Sequence, residues 1–178
     1  PASLQTASPQ VSGVTRVGRN LTVLTTADQS ASLSYQWYRN GIPISGAIGR
    51  SYLLTPSDKD KYLLVKVTAS AAGQKTIRFS AETGKVGAGV LAKLGSPKAS
   101  GTFKVGRTVS ASKGSWSPTP SSFSYRWLRS GKSISGATKS KYKLTSKDRG
   151  KRISVRVTVK KSAYSTTSAT SSSHTVKR

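Results

Sequence analysis

Residues 34–41 read SYQWYRNG, and residues 124–131 read SYRWLRSG. In both stretches the side chains alternate. Tyr35 and Trp37 fall on one side of an extended chain and Gln36 and Tyr38 on the other, the period of two that marks a half-buried β-strand. Asn40-Gly41 and Ser130-Gly131 then supply residue pairs suited to positive φ in a tight hairpin. A strand carrying a central inward tryptophan and ending in a hairpin is therefore spelled twice, and only its outward letters change.

Working outward, the duplication covers nearly the whole chain. SPQVSGVTRVGRNL from Ser8 matches SPKASGTFKVGRTV from Ser96 at a spacing of 88, and everything from the tryptophan onward matches at a spacing of 90. ISGA at Ile44 recurs at Ile134, YLLTPSDKDK at Tyr52 recurs as YKLTSKDRGK at Tyr142, and VKVT at Val65 recurs as VRVT at Val155. The repeats are expected over residues 1–88 and 89–178, joined end to end by a short glycine-rich linker at about 87–95. Leu63, Val65 and Val67, like Ile153, Val155, Val157 and Val159, alternate with polar positions, which gives each of these strands one core face and one free face. TPSD at Thr55 and TSKD at Thr145 read as capped turns, which makes Asp58 and Asp148 structural.

Composition narrows the function. The chain has 178 residues, no cysteine, one histidine and five acids. Without cysteine there are no disulfides and no thiolate chemistry. His174 stands alone, the acids are scattered, and the many serines have no base to activate them, so the sequence is read as non-enzymatic, without cofactor or metal. No P-loop or dinucleotide fingerprint is present. No stretch approaches the roughly 20 apolar residues of a membrane span, and residues 1–10 lack a signal pattern. The expectation is a soluble, monomeric fragment of a larger protein, with no membrane insertion.

Short strands at turn-punctuated spacing, with a buried tryptophan before a hairpin, describe a two-sheet sandwich. The chain resembles the immunoglobulin-like fold, with Trp37 and Trp127 at the place of the strand C core tryptophan. More narrowly, YQWYRNGIPISGA followed by SYLLTPSDKDKYLLVKVTA is similar to the tandem Ig-like repeats appended to secreted hydrolases and surface proteins of high-GC Gram-positive bacteria. The fold class expected is all-β, two tandem Ig-like β-sandwich domains without disulfides. The resemblance implies an extracellular, non-catalytic accessory role.

Charge carries the remaining information. Lys+Arg number 30 against 5 Asp+Glu, a net charge of +25. The halves differ: residues 1–88 hold 10 and 4, residues 89–178 hold 20 and 1, giving +6 and +19. Like charges this crowded repel unless an anion sits among them. If strands C and F adjoin, the first repeat turns Gln36, Tyr38, Tyr62, Leu64 and Lys66 outward, and the second turns Arg126, Leu128, Arg152, Ser154 and Arg156 outward. Polyanion binding is assigned to Arg126, Arg152 and Arg156 together with Lys141, Lys143, Arg149 and Lys151. Tyr38, Tyr62 and Trp116 are candidates for stacking on carbohydrate. The alternatives for these rings are amphipathic cover for the sheet at Tyr38 and Tyr62 and a lid on the sandwich end at Trp116. The expected partner is an anionic cell-wall polymer or polysaccharide. A passive stalk is the alternative, and non-specific nucleic-acid binding a further one.

Overall fold

The computed structural model describes residues 4–177. The chain divides into two compact units, Pro1–Val90 and Leu91–Arg178.

In the first unit, β1 (Gln10–Gly13), β2 (Asn20–Leu24) and β5 (Ser51–Leu53) form one antiparallel sheet in the order β1-β2-β5. The facing sheet has the order β4-β3-β6-β7, from β3 (Ser32–Arg39), β4 (Ile42–Pro43), β6 (Leu63–Ala71) and β7 (Gln74–Phe79). Period-two burial along β6 places Leu63, Val65 and Val67 in the core with Leu21, Val23 and Trp37. The Trp37 indole donates its N–H to Gly49 O at 2.9 Å and stacks on Tyr52, so its one polar atom is satisfied inside the sandwich.

The second unit repeats this plan and adds to it. Strand β8 (Ala92–Gly95) pairs with β11 (Ser115–Ser117), and β9 (Ala99–Ser100), β10 (Thr108–Ala111) and β14 (Lys141–Lys143) form a sheet in the order β14-β10-β9. Opposite lies β13-β12-β15-β16, built from β12 (Ser122–Arg129), β13 (Lys132–Ser133), β15 (Arg152–Lys160) and β16 (Thr167–Thr170), with β17 (His174–Thr175) also on β15. Trp127 repeats the arrangement of Trp37, bonded to Lys139 O at 2.9 Å and stacked on Tyr142. Two antiparallel sheets around an aliphatic and tryptophan core, twice over and without cysteine, make this a tandem of Ig-like sandwiches.

Both hairpin pairs adopt the positive φ expected of them, Asn40 and Gly41 at 46° and 77°, Ser130 and Gly131 at 46° and 80°. The span 87–95, read as linker, is mostly ordered structure. Gly87 bridges to Arg16, Leu91 is buried among Trp116, Val157 and Val159, and residues 92–95 are β8.

Each unit also contains a polar knot that its core surrounds. The short 3-10 turns Pro56–Asp58 and Ser146–Asp148 follow Thr55 and Thr145, and each ends in a fully buried aspartate. Asp58 accepts from Arg39 Nε at 2.6 Å, from the Tyr52 hydroxyl at 3.0 Å, and from the Thr55 backbone N–H and hydroxyl at 2.6 and 2.8 Å. Asp148 does the same with Arg129, Tyr142 and Thr145. Burial alone would raise the Asp148 carboxyl, but the Thr145 backbone N–H, Arg129, and the Thr145 and Tyr142 hydroxyls outweigh it and hold the group below its ordinary range. Burial, reinforced by Asp148, pushes the Tyr142 phenol up.

Candidate anion-binding face

The outward face of the second unit's five-stranded sheet is laid out by strand register. Arg126 on β12 lies directly across from Arg156 on β15, and Arg156 in turn faces Thr170 on β16. One step along, Leu128 lies between Ser133 and Ser154, and beyond it Arg152 pairs with Thr175. In the other direction Ser124, Thr158 and Ser168 form a row of hydroxyls. No strand of this sheet contains an acid. Asp148, the only acid in residues 89–178, is spent on Arg129 in the interior.

Leu128 and Ser154 were expected to lie open on this face, and they do not. They are 3% and 7% exposed. Leu128 sits on an interior strand with β13 on one side and β15 on the other, and the arginines flanking it have aliphatic stems long enough to cover it. The three arginines thus share the face with a centre that is closed to solvent at Leu128.

The assigned cations do not all meet. Lys141 and Lys143 alternate with the inward Tyr142 on β14, so they project from the opposite sheet. Strand β14 pairs with β10 and never with β12 or β15. There the lysines line a separate shallow concavity with Lys139. Arg149 and Lys151 flank Gly150 in the turn that leads into β15, next to Arg152. The cations that share this face are thus Arg126, Arg152 and Arg156, with Lys151 and Arg149 in the turn just before Arg152.

The first unit carries a different surface in the same register. Gln36 stands where Arg126 is, but its amide is occupied, donating to Trp37 O and Ile44 O at 2.9 and 2.8 Å and pinning the hairpin. Arg126 makes no such bond, so its guanidinium is free of structural duty. Tyr38 packs edge-on against Phe79, with centroids 6.1 Å apart and rings inclined by 64°. Tyr62 lies just before β6, its backbone N–H bound by the Asn40 side chain. Tyr38 and Phe79, rather than Tyr38 and Tyr62, are the ring pair of this face, joined by the exposed Ile77. Rings crossed at that angle do not make a flat platform.

Trp116 is a lid. It is 8% exposed, packs on Leu91, Val157 and Val159, and donates its indole N–H to Lys113 O at 2.9 Å, which leaves no open ring face for a sugar. Among the described residues no group of three or more His, Asp or Glu could hold a metal ion, and no helix is long and apolar enough to cross a membrane.

No protein-family model and no curated protein matches the chain. Among solved structures it is similar to tandem Ig repeats of Dlar, at 16% identity over 97% of this chain and 96% of that one, with a TM-score of 0.28. It is also similar to an amphioxus IgVJ-C2 molecule, at 14% identity over 99% and 100% with a TM-score of 0.38. Fibronectin(III)-like modules of Clostridium thermocellum CbhA match at 14% identity over 95% and 93%, with a TM-score of 0.32.

Proposed function

We propose that this chain is a non-catalytic, extracellular attachment module that holds a larger protein on an anionic cell-wall polymer or polysaccharide. Its grip is the outer face of the second unit, through Arg126, Arg152 and Arg156. The observation that supports this is the Arg126–Arg156 cross-strand pair on a sheet without acids. Like charges directly opposite each other on a sheet are destabilising, and an anion lying across them reverses the sign. Guanidinium forks hold phosphate or carboxylate oxygens through charge-assisted hydrogen bonds, in an interaction that salt screens.

The test is retention of the full chain on immobilised poly(glycerol phosphate), polygalacturonate and duplex DNA of matched charge, at low and high salt. Retention on the two wall-type polymers at low salt, exceeding that on DNA and lost in Arg126→Glu/Arg156→Glu, is the expected result. Stronger retention on DNA would make the face a nucleic-acid surface. Retention on none of the three would leave a spacer.

A further inference from the structure

We infer that the second unit carries a discrete subsite for a tetrahedral oxyanion, a phosphate or sulfate group of the polymer, in the concavity lined by Arg152, Ser154, Ser130 and Ser173. The inference rests on the anionic-polymer reading above and assigns it a ligand group.

The concavity has a volume of about 470 Å³ and is lined by Ser130, Gly131, Arg152, Ser154, Ser171 and Ser173. That lies in the range of pockets that hold small ligands. None of the lining residues is an acid. Ser171 has a structural task, since its hydroxyl accepts the Val155 N–H at 3.0 Å and donates to Ser172 O at 2.8 Å. Ser154 has none. It is 7% exposed as a residue and outward in register, and its hydroxyl, which takes part in none of the bonds that hold the strands, stays open to solvent. That hydroxyl can donate to an anion seated in the concavity. Arg152 supplies a guanidinium without an ion pair.

The first unit shows which of these residues the fold requires. Its register equivalents are Asn40, Gly41, Tyr62, Leu64, Ser80 and Glu82. The glycine and the structural serine are kept, with Ser80 accepting the Val65 N–H at 3.0 Å as Ser171 does for Val155. The arginine becomes tyrosine, the unpartnered serine becomes leucine, and Ser173 becomes a carboxylate that repels anions. What changes is what a ligand would touch. In the second unit the hydroxyls come from three separate segments, the hairpin at Ser130, strand β15 and the stretch after β16. Hydroxyl donors from three segments beside a guanidinium can be shared among the several oxygens of a tetrahedral anion, whereas the two coplanar oxygens of a carboxylate are satisfied by the guanidinium fork alone.

Amide chemical shifts of the full chain, titrated at constant ionic strength with inorganic phosphate, sulfate and acetate, test this. Phosphate and sulfate should give saturable shifts at Gly131, Ser154 and Ser173, and acetate should not. Ser154→Ala should weaken phosphate about tenfold, the loss expected for one hydrogen bond to a charged group. Ser173→Glu, an exposed change that copies Glu82, should abolish the shifts. Retention on polygalacturonate should survive Ser154→Ala, because it depends on the arginine pair. Stronger retention on poly(glycerol phosphate) or on a sulfated polysaccharide names the source of the group. Non-saturating shifts, an equal response to acetate, or an Ser154→Ala titration matching the parent would overturn the subsite while leaving the face intact. A failure of the face itself shows separately, as polygalacturonate retention indifferent to Arg126→Glu/Arg156→Glu.

Discussion

Replacing Asp148 by alanine should destabilise the second unit by about 3–5 kcal/mol and leave the first unit unchanged. The carboxylate is fully buried and accepts four bonds: from Arg129 Nε and the Thr145 N–H, both at 2.7 Å, and from the Tyr142 and Thr145 hydroxyls, both at 2.9 Å. Removing one partner of a buried ion pair costs more than the pair contributes, because the remaining charge stays desolvated. Here the Arg129 side chain keeps 27% of its exposure, so water can recover part of that charge and the lower end, about 3 kcal/mol, is expected. Native-state hydrogen exchange of the full chain provides the assay, with the homologous strand β6 as a control in the same molecule. The slowest amides of β15 should exchange about a hundredfold faster or more, at about 1.4 kcal/mol per tenfold. Those of β6 should not change. A loss below about 1 kcal/mol in β15, or an equal loss in β6, would refute the role given to this knot.

Trp37→Ala or Trp127→Ala should each cost its own unit about 3–5 kcal/mol, read by the same exchange measurement, since both rings are fully buried. Ser171→Ala should cost about 1–3 kcal/mol by leaving the Val155 N–H unpaired in the interior, and Ser80→Ala should do the same for Val65. Acid should weaken the second unit through Asp148: a carboxyl held below its unfolded value contributes stability above that value and loses it as pH falls through the folded one. Exchange protection of β15 should therefore decline below about pH 4, and a profile flat through that range would contradict the assignment.

The period-two runs around Trp37 and Trp127 were enough to read the sandwich, because a half-buried strand leaves its alternation in the sequence. The polar knots were only half legible. Thr55 and Asp58 are three apart and announce a cap, but Arg39 lies 19 residues from Asp58, and only the antiparallel return of the chain brings them together. The edge strands were hidden for a related reason. Residues 74–79, QKTIRF, are exposed at most positions, so no clean alternation marked Phe79 as the neighbour of Tyr38. Lys141 and Lys143 could be assigned to a strand but not to a sheet, and charge counted along the chain merged two surfaces that the topology separates. Trp116 carried two readings, with the lid preferred, because a loop tryptophan and a lid tryptophan have the same sequence context until Leu91 is seen beneath it.

The duplication separates what the fold demands from what it merely permits. Both units keep the tryptophan with its carbonyl partner, the Arg–Asp–Tyr–Thr knot, the hairpin glycine and the serine that receives a strand F amide. Every one of these is inside the sandwich or at a constrained turn. On the outer face, Gln36 becomes Arg126, Lys66 becomes Arg156 and Phe79 becomes Thr170, in the same register and on the same backbone plan. Glutamine opposite lysine keeps a single positive charge on that rung. Arginine opposite arginine places two, and no carboxylate of the unit is left to offset them. Stability of the isolated sheet would favour the first arrangement, and the anion proposed above is what would offset the second.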